Sequence, residues 1–463
     1  MPETFDAIVT GSGQAGHFLA VRLANAGQKV AFIERTHLGG TCVNDGCMPT
    51  KTMVASARVA HLARRAADFG VQIGGPVSID MSVVLRRKNA IVEGAKASLA
   101  SWIESTQNLT LIWGTATFAA PQIIDVAGRQ LQAPQIFLNT GGRPVIPDWP
   151  GLHDVPYLTN TTLMELPTLP QHLIVAGGSY VGLEFAQMYR RFGAEVTIVE
   201  YADDIVHRED ADVRATLRDV LQAEGITIRA TVRDITVART QAGVRLNARQ
   251  GGNDMSVEGS HLLVAVGRRM NTDVLNLAAA GLAVDAHGFI PVDDELRTNV
   301  PGIWALGDMH AHGGFTHTAY NDYEIVAANL LEGAHRRVSD RIPAYALYTD
   351  PPLARIGLSE PDALASKRPV LRGMMPMTRV GRAKERDETA GFMKVFVDAD
   401  TKRILGATLL CIGADEIVHS LLDVMAAGAP YTVIQNCMHI HPTVSELIPT
   451  MMGDLRPLQA GGR

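Results

Sequence analysis

The sequence has few cysteines, no long apolar run and no low-complexity tract. Its 463 residues include only four cysteines, too few for a chain of this size to depend on a framework of disulfides. No uncharged apolar run reaches the ~18 residues that a membrane-spanning helix needs, so such a helix is not expected. The formal net charge of −6 argues against nucleic acid or an anionic membrane surface as the main partner.

A secretory signal is not visible, because the charged segment 3–6 leads at once into a strand pattern. The sequence therefore predicts a cytoplasmic protein that has neither a membrane nor a nucleic acid as partner. Its composition, 46% hydrophobic and 19% charged residues, is ordinary for a globular protein. At ~100–200 residues per domain, the length predicts about three domains. The terminal residues 460–463 are expected to fray.

A first glycine-rich turn follows a short apolar strand pattern and opens a helical pattern. Gly11 permits a tight turn, Gly13 lets the backbone approach a pyrophosphate, and Gly16 lets the helix pack on the strand. The phosphates would lie at the helix N-terminus, where free N–H groups favour negative charge. Glu34 ends the next strand, where its carboxylate can accept hydrogen bonds from an adenosine ribose. This acid argues against the alternative of a purely structural turn.

A second glycine-rich turn repeats the pattern in the middle of the chain, with Gly177, Gly178 and Gly182 between a strand and a helix. Glu200 ends the following strand, at the place of a ribose 2′-hydroxyl. A carboxylate there accepts from a hydroxyl and repels a 2′-phosphate, so the sequence favours NADH over NADPH.

NADPH remains possible, because three arginines lie close to this unit in sequence and could bind a phosphate: Arg190, Arg191 and Arg208. Further strands are predicted at 110–113, 115–118 and 123–126, and strand character returns at 303–308.

Two of the cysteines, Cys42 and Cys47, lie in a glycine-rich segment where a helix is predicted to begin. Their spacing can bring the two sulfurs into bonding range. Gly46 and Pro49 are typical of the start of a helix. A helix N-terminus stabilises thiolates, so this pair is suited to exchanging electrons. Zinc would need further ligands and another cysteine spacing, so no metal site is predicted.

The other two cysteines, Cys411 and Cys437, have apolar neighbours in sequence and are predicted to be buried structural thiols. The pair Met451 and Met452 is predicted to pack in a core or an interface.

The segment GGTCVNDGCMPTK, residues 39–51, resembles the redox-active helix of the class I pyridine nucleotide-disulfide oxidoreductases. This family includes dihydrolipoamide dehydrogenase, glutathione reductase and mercuric reductase. Ala305–Asp308 resembles the family's second FAD motif. Ala265–Arg268 resembles the segment in which the chain of these proteins returns from the nucleotide-binding domain. His441–Glu446 resembles its C-terminal motif, in which a histidine and a glutamate form a pair.

The resemblance implies an α/β fold with two Rossmann-like dinucleotide-binding domains, for FAD and NAD(P), and a C-terminal α+β dimerisation domain. We predict the first part of the FAD-binding domain at 1–145 and the NAD(P)-binding domain at 146–269. The second part of the FAD-binding or central domain is predicted at 270–338, and the dimerisation domain at 339–463.

The resemblance also implies roles for single residues near the flavin. Cys47 matches the cysteine nearest the flavin, and Cys42 matches the one that exchanges with substrate. Lys51 matches the lysine beside the flavin N5 edge, paired with Glu184. Segment 314–317 would begin a helix whose positive end faces the reduced flavin. The remaining matches to cofactor-binding positions are Gly40, Thr41, Gly267 and Asp308.

Three further matches concern the nicotinamide and the substrate. Tyr180 matches an aromatic residue that covers the nicotinamide pocket until the cofactor displaces it. His441 comes from the partner subunit in this family, so a homodimer is expected. It would serve as general acid and base, and Glu446 would orient its ring.

The expected reaction passes electrons from NADH through FAD to the Cys42–Cys47 pair, and from there to a disulfide or to a soft metal ion such as Hg(II) or Cu(II). The segment 447–455 and the sequence around the two cysteines both resemble those of mercuric reductases. Two features are missing for that assignment, an N-terminal Cys-x-x-Cys domain and an adjacent cysteine pair near the C-terminus. The redox segment also differs from the CLNVGCIPSK of dihydrolipoamide dehydrogenases.

Three alternatives stay open. The first is a metal-ion reductase of the mercuric or copper type. The second, of another class, is a flavin redox sensor or a structural subunit of a dehydrogenase complex, which would not need a general acid. The third is a flavin NADH oxidase of related fold, which would not need two cysteines at disulfide spacing.

Overall fold

The computed structural model describes residues 1–459, so the fraying predicted for residues 460–463 lies outside the described residues. Helices and several sheets confirm the predicted α/β fold class. The α-helices span Gly16–Asn25, Gly40–Asn44, Cys47–Arg64, Met81–Ser105, Asn160–Leu163, Tyr180–Phe192, Ala211–Ala223, Thr316–Glu332, Glu360–Ala365, Gly381–Glu385, Ala414–Ala426, Thr432–Gln435 and Ile448–Gly453. Short 3-10 helices span Ala66–Phe69, Leu152–Asp154, Leu277–Ala280, Gly307–Met309, Val338–Asp340, Met377–Arg379 and Val444–Leu447.

The first parallel sheet carries the first glycine turn. From one edge to the other its strands are Ile303–Ala305, Gln135–Leu138, Ala7–Thr10, Val30–Glu34 and Leu109–Trp113. All residues of strands Ala7–Thr10 and Val30–Glu34 are buried, as expected of parallel strands that are covered on both faces. The helix after the turn, Gly16–Asn25, packs on this sheet through Leu19 and Leu23.

The second parallel sheet repeats this plan. Its strands, in order, are Tyr157–Leu158, His261–Val264, His172–Ala176, Glu195–Val199 and Thr227–Arg229. In both sheets the strand that precedes the glycine turn lies between two parallel neighbours. Strand Ala7–Thr10 lies between Val30–Glu34 and Gln135–Leu138, and strand His172–Ala176 lies between Glu195–Val199 and His261–Val264. The two βαβ units predicted from the sequence are therefore present. Each unit brings the end of a central strand and the start of a helix to one edge, where dinucleotides bind.

Mainly antiparallel strands form the remaining sheets. A four-stranded sheet contains Glu3–Thr4, Arg129–Gln132, Ile123–Val126 and Ala116–Ala120. A three-stranded sheet contains Val232–Thr240, Gly243–Gln250 and Asn253–Gly259, and Gly142–Pro144 pairs with Arg268–Met270. The C-terminal sheet has the order Ala344–Leu347, Leu353–Gly357, Ile404–Leu410, Phe392–Asp398, Val370–Pro376 and Arg456–Pro457.

The C-terminal sheet has a hydrophobic core of its own, to which Met451 and Met452 belong. Both methionines are buried, which confirms the packing role predicted for them. Cys411 is buried in the same core, also as predicted.

Two local predictions were wrong. Cys437 is exposed, because the apolar neighbours that suggested burial, Met438 and Ile440, are themselves 94% and 78% exposed. The strand predicted over 303–308 ends at Ala305, and Asp308 lies in a 3-10 turn instead. Gly307 has a left-handed φ of 64°, which ends the extended strand at this point.

The domain boundaries given above stay a proposal. The strands of the second sheet fall between residues 157 and 264, and the C-terminal sheet begins at residue 344. Among residues 1–459, no helix combines the length and the apolar character that crossing a membrane requires.

Candidate active site

The two cysteines of the redox segment lie on either side of a break between two helices. Cys42 belongs to helix Gly40–Asn44, and Cys47 is the first residue of the long helix Cys47–Arg64. Gly46 makes the turn possible, since a Cβ there would lie 2.8 Å from the Thr41 carbonyl oxygen. The break places the two thiols close enough for each to shift the pKa of the other.

Their mutual influence makes the two cysteines chemically different. Donation from the Cys42 thiol is the largest cause that lowers the pKa of Cys47 to about 6, and the Thr316 hydroxyl and the Lys51 charge lower it further. The same hydrogen bond raises the pKa of Cys42, and burial adds to this effect. The pair at neutral pH is therefore a Cys47 thiolate beside a protonated Cys42.

The thiolate lies between two helix N-termini. Cys47 begins an 18-residue helix, whose free N–H groups favour negative charge. The Thr316 hydroxyl lies 3.1 Å from the Cys47 sulfur, and Thr316 is the first residue of helix Thr316–Glu332. The helix start predicted at 314–317 is therefore present and adjoins the cysteine pair.

A lysine one turn along the same helix is paired with the second nucleotide unit. The Lys51 ammonium donates to Glu184 over 2.7 Å, and it lies 4.6 Å from the centre of the Tyr348 ring. The other oxygen of Glu184 accepts from the backbone N–H of Tyr348 at 3.0 Å. The Glu184 side chain is 8% exposed and that of Lys51 is 32% exposed, so the charge of Lys51 is fixed near Cys47 by a buried partner.

The first glycine turn has room for a pyrophosphate only because it lacks side chains. A Cβ on Gly11 would lie 2.3 Å from the Asn139 carbonyl oxygen, and one on Gly16 would lie 2.0 Å from the Gly11 carbonyl oxygen. Gly40 also touches this turn, since its Cβ would lie 2.7 Å from the Cα of Gly13. The segment that carries the cysteines is thereby held directly against the dinucleotide turn.

The acid after this turn holds the turn in place. One Glu34 oxygen accepts from the Ser12 N–H at 2.9 Å and from the Ser12 hydroxyl at 2.7 Å. Its other oxygen accepts from the Thr36 N–H at 2.9 Å. Glu34 is thus at the position predicted for a ribose contact, and it also fixes the backbone of the glycine turn.

Three residues predicted near FAD meet at the start of the cysteine segment. Arg268 lies 3.6 Å from Asp308 and 3.4 Å from the Thr41 hydroxyl. Gly267 precedes this arginine with a left-handed φ of 135°. A cationic group beside a helix start suits a phosphate, so these residues and the glycine turn fit the two ends of FAD.

The second glycine turn has the same construction. A Cβ on Gly177 would lie 2.3 Å from the Ala265 carbonyl oxygen, and one on Gly182 would lie 1.9 Å from the Gly177 carbonyl oxygen. Glu200 accepts from the backbone N–H of Gly178 at 2.5 Å, in the same way as Glu34 accepts from Ser12. This edge fits the second dinucleotide, NAD(P)H.

Two of the three arginines that could have bound a 2′-phosphate are engaged elsewhere. Arg190 donates to the carbonyl oxygens of Glu224 and Ala194. Arg191 forms ion pairs with Glu224 and Asp350. Arg208, the third, is exposed.

Tyr180 is the first residue of helix Tyr180–Phe192 and is partly buried. Its hydroxyl donates to Glu209 at 2.8 Å. Its ring lies 5.6 Å from that of Tyr345 and 6.4 Å from that of Phe315. The aromatic residue predicted over the nicotinamide pocket is therefore held by a hydrogen bond.

The C-terminal motif contains the predicted pair. Nδ1 of His441 lies 2.6 Å from a Glu446 oxygen, and Arg382 donates to the Pro442 carbonyl oxygen at 2.9 Å. The Glu446 side chain is 10% exposed, whereas that of His441 is 79% exposed. A buried carboxylate thus orients an imidazole whose other nitrogen faces outward.

The structure brings most of the predicted site together, with one exception. Cys42, Cys47, Lys51 and Glu184 form one cluster, and the two glycine turns flank it. Between His441 and the two cysteines of the same chain, no hydrogen bond occurs in residues 1–459.

Sequence reasoning missed four residues of the site. Arg268 belongs to the predicted motif Ala265–Arg268, but its side chain was not predicted to have a function. Thr316 lies in the helix start predicted at 314–317, but its hydroxyl was not predicted to contact a cysteine. Glu209 and Tyr345 carry no local signal, because the partner of each lies far away in sequence.

One cluster of carboxylates in the described residues has the geometry of a metal site: Asp210, Asp212 and Glu360. The ammonium of Lys394 lies 2.8–2.9 Å from all three. Arg355 lies 2.6 Å from Asp210, and Arg372 lies 3.7 Å from Glu360. Three cations thus face the three carboxylates, so the cluster is an ion-pair network.

We predict that the reduced protein has a thiolate whose absorbance near 240 nm rises as the pH passes through about 6. Replacing Cys42 by alanine removes the main hydrogen bond, so the pKa of Cys47 should rise toward that of an ordinary thiol. A Cys437→Ser variant changes an exposed cysteine outside the pair and should keep the original profile. A single transition near ~8.5 in all three proteins would contradict the proposed polarisation of the pair.

Comparison with known proteins identifies the family of this chain. The pattern of the family described as pyridine nucleotide-disulphide oxidoreductase matches residues 5–322, and that of its dimerisation domain matches residues 343–452. The chain is 34% identical over 451 residues to the probable pyridine nucleotide-disulfide oxidoreductase RclA of Escherichia coli, with 96% of this chain and 97% of that protein covered.

Two other relatives have similar coverage. The mercuric reductase of Streptomyces lividans is 32% identical over 96% of this chain and 94% of its own length. The dihydrolipoyl dehydrogenase of Chlamydia pneumoniae is 32% identical, with 96% of both chains covered.

A solved structure of the HOCl-induced flavoprotein disulfide reductase RclA from Escherichia coli, in its Cu(II) complex, is similar over the whole chain. It has a TM-score of 0.88 at 32% identity and covers 98% of this chain and 99% of that one. This chain belongs to the pyridine nucleotide-disulfide oxidoreductase family, and it is a FAD-dependent enzyme that draws electrons from NAD(P)H.

Proposed function

We propose that this enzyme is a homodimeric, NADH-preferring disulfide reductase in which Cys42 attacks the acceptor and Cys47 stores the negative charge. The observation that carries the proposal is the His441–Glu446 pair, 2.6 Å apart, which would supply a general acid and base to the dithiol of a second subunit. A cytoplasmic location remains part of the proposal, on the sequence argument alone.

The FAD group would be held by the first glycine turn, Glu34, Thr41 and Asp308. When bound, FAD accepts a hydride from the reduced nicotinamide and passes two electrons to the cysteine pair. Lys51, fixed by Glu184, keeps a positive charge next to the site at which negative charge develops.

The dithiol then reduces a disulfide in two exchanges. His441 of the partner subunit takes the proton of Cys42, whose thiolate attacks one sulfur of the acceptor and forms a mixed disulfide. The imidazolium returns the proton to the departing thiolate. The Cys47 thiolate next attacks Cys42, which releases the second thiolate of the acceptor and closes the Cys42–Cys47 disulfide.

The homodimer is proposed on three grounds. The family's dimerisation domain spans residues 343–452. His441 is exposed and has no hydrogen bond to the cysteines of its own chain in the described residues. Its neighbours Met438 and Ile440 are exposed apolar side chains that a second copy would cover.

Reduction of a soft metal ion is the second candidate. A thiolate pair binds such ions, and two of the relatives carry names or titles that mention mercury or copper. The carboxylate-oriented histidine favours the disulfide, because protonating a departing thiolate requires an acid whereas metal reduction does not.

The acceptor is tested by measuring NADH oxidation by the purified flavoprotein without oxygen, with lipoamide, glutathione disulfide, Cu(II) or Hg(II). We expect turnover with a disulfide, and we expect Cys47→Ser to abolish it while FAD stays bound. Turnover with metal ions alone would favour the second candidate. Full turnover of Cys47→Ser would rule out the dithiol mechanism for either acceptor.

A second prediction concerns His441. Replacing it by glutamine should lower the rate of disulfide reduction by about 10²–10⁴-fold, the usual contribution of a general acid. Reduction of a quinone dye, which needs no thiol protonation, should be unaffected. The matched control is His439→Gln, since His439 lies in the same loop but binds the Ser445 carbonyl oxygen instead of a carboxylate. Equal losses with disulfide and dye would indicate that His441 has only a structural role.

The third prediction concerns the choice of nicotinamide. Glu200→Gln keeps an acceptor for the Gly178 N–H but removes the charge that repels a 2′-phosphate. The ratio of kcat/KM for NADH to that for NADPH should fall by about tenfold. Glu195→Gln, at the exposed start of the same strand, should leave this ratio unchanged. If Glu200→Gln also leaves it unchanged, the carboxylate does not face the ribose.

A further inference from the structure

The hydroxyl of Tyr180 shares a buried acceptor with another tyrosine. Tyr180 donates to Glu209 at 2.8 Å, and Tyr345 donates to the same oxygen at 2.7 Å. The Glu209 side chain is 0% exposed. A buried carboxylate that accepts two hydroxyl hydrogen bonds holds both rings in one orientation, because hydrogen bonds to an ionised group are stronger than those between neutral groups.

An arginine pairs with the other oxygen of this carboxylate. Arg355 lies 3.0 Å from the second oxygen of Glu209, and its own side chain is 5% exposed. Burial, and then the charge of Glu209, raise the pKa of Tyr345 to about 12 and also raise the pKa of Tyr180. Both hydroxyls therefore stay protonated and act as donors.

Glu209 and Tyr180 belong to one part of the fold, and the other two partners of Glu209 belong to another. Glu209 lies just before helix Ala211–Ala223 of the second nucleotide unit, whereas Tyr345 and Arg355 lie on strands Ala344–Leu347 and Leu353–Gly357 of the C-terminal sheet. The position of Tyr180 thus depends on how the nucleotide unit meets the C-terminal sheet.

The same contacts extend to the thiol site. The Phe315 ring stacks on that of Tyr345, with centres 5.5 Å apart and planes 5° apart. Phe315 directly precedes Thr316, whose hydroxyl lies 3.1 Å from the Cys47 sulfur. The cover of the nicotinamide pocket and the cysteine pair are therefore parts of one continuous set of contacts.

We propose that Glu209 is a latch that holds Tyr180 over the nicotinamide pocket and that Tyr345 competes for the same Glu209 oxygen. Glu209 is then a positioning residue that sets how readily the dinucleotide enters. The proposal rests on the function of Tyr180 as that cover, stated above. It goes beyond that function by naming the residue that keeps the cover closed.

Opening this latch costs one hydrogen bond and leaves no buried charge unpaired. When Tyr180 moves aside, Glu209 still accepts from Tyr345 and still pairs with Arg355. The closed state is therefore favoured but reversible. A dinucleotide that binds only the open state has its apparent affinity reduced by the fraction of molecules that are open, so weakening the latch should tighten binding.

The test is the dissociation constant of NAD⁺ for the oxidised holoenzyme, measured by titration calorimetry. Tyr180→Phe removes the donor and Glu209→Gln removes the acceptor's charge, and each should lower this constant about threefold to tenfold. The double variant should bind no more tightly than the better of the two, because both remove the same contact. KM for NADH should fall in parallel.

Tyr345→Phe should act in the opposite direction. It removes the competing donor, so the Glu209 oxygen is left to Tyr180 alone, and binding of NAD⁺ should weaken. A residue that only stabilised the fold would not produce shifts of opposite sign in two neighbouring hydroxyl deletions.

The matched control is Asp212→Asn. Asp212 pairs with Lys394 in the same junction between the nucleotide unit and the C-terminal sheet, but it does not contact Tyr180 or Glu209. It should leave the dissociation constant unchanged. An equal shift in Asp212→Asn and Glu209→Gln would overturn the latch, because loosening of the junction would then suffice.

A further variant separates the latch from the cover. If Tyr180→Ala tightens NAD⁺ binding but Tyr180→Phe and Glu209→Gln do not, then Tyr180 covers the nicotinamide pocket but its hydrogen bond to Glu209 does not keep it there. If Tyr180→Ala leaves binding unchanged as well, the cover assignment itself is wrong. Should Glu209→Gln fail to fold, Tyr180→Phe still decides the matter, since it removes a single hydroxyl from a partly exposed ring.

Discussion

The negative charge on the Cys47 sulfur is the constraint around which the site is organised. A thiolate at this place needs donors and positive charge, and no single segment supplies them. The Cys42 thiol and the start of helix Cys47–Arg64 come from the redox segment itself. The Thr316 hydroxyl comes from another helix start, and Lys51 is held by Glu184 of the second nucleotide unit.

This constraint explains why parts far apart in sequence touch at the cysteine pair. Gly40 packs against the Cα of Gly13, so the redox segment is fixed to the first dinucleotide turn. Glu184 also accepts from the backbone of Tyr348, so the second nucleotide unit is fixed to the start of the C-terminal sheet. Electrons can pass between two dinucleotides and a dithiol only if the two dinucleotide sites and the dithiol are held close together in a fixed arrangement.

The two nucleotide units use one plan with different surroundings. Glu34 and Glu200 each accept from the N–H of the glycine turn beside them, so an acid at the same place holds the turn in both units. The first turn meets the cysteine segment, whereas the second is followed by Tyr180 and its acceptor Glu209. The difference between a flavin site and a nicotinamide site thus arises from the neighbours of the turn.

Most of the site could be predicted from the sequence because its signals are local. The glycines, the acids that end the strands and the cysteine spacing each lie within one βαβ unit or one helix start, where short-range backbone geometry decides the structure. The exposure of Cys437 could not be predicted in this way, since local apolar neighbours do not reveal whether another element covers them. The same reason explains why Arg268 received no role, because its contacts with Thr41 and Asp308 join three distant segments.

The sequence by itself determined the two dinucleotide turns, the redox pair, the His441–Glu446 pair and the family. The tertiary structure alone decided which cysteine is the thiolate, since that depends on Thr316 and on a lysine held by Glu184. It also decided that the hydroxyl of Tyr180 donates to Glu209, on an oxygen that it shares with Tyr345. The physical reason is that hydrogen bonds and charges act over a few ångströms in space, and only folding brings these residues that close.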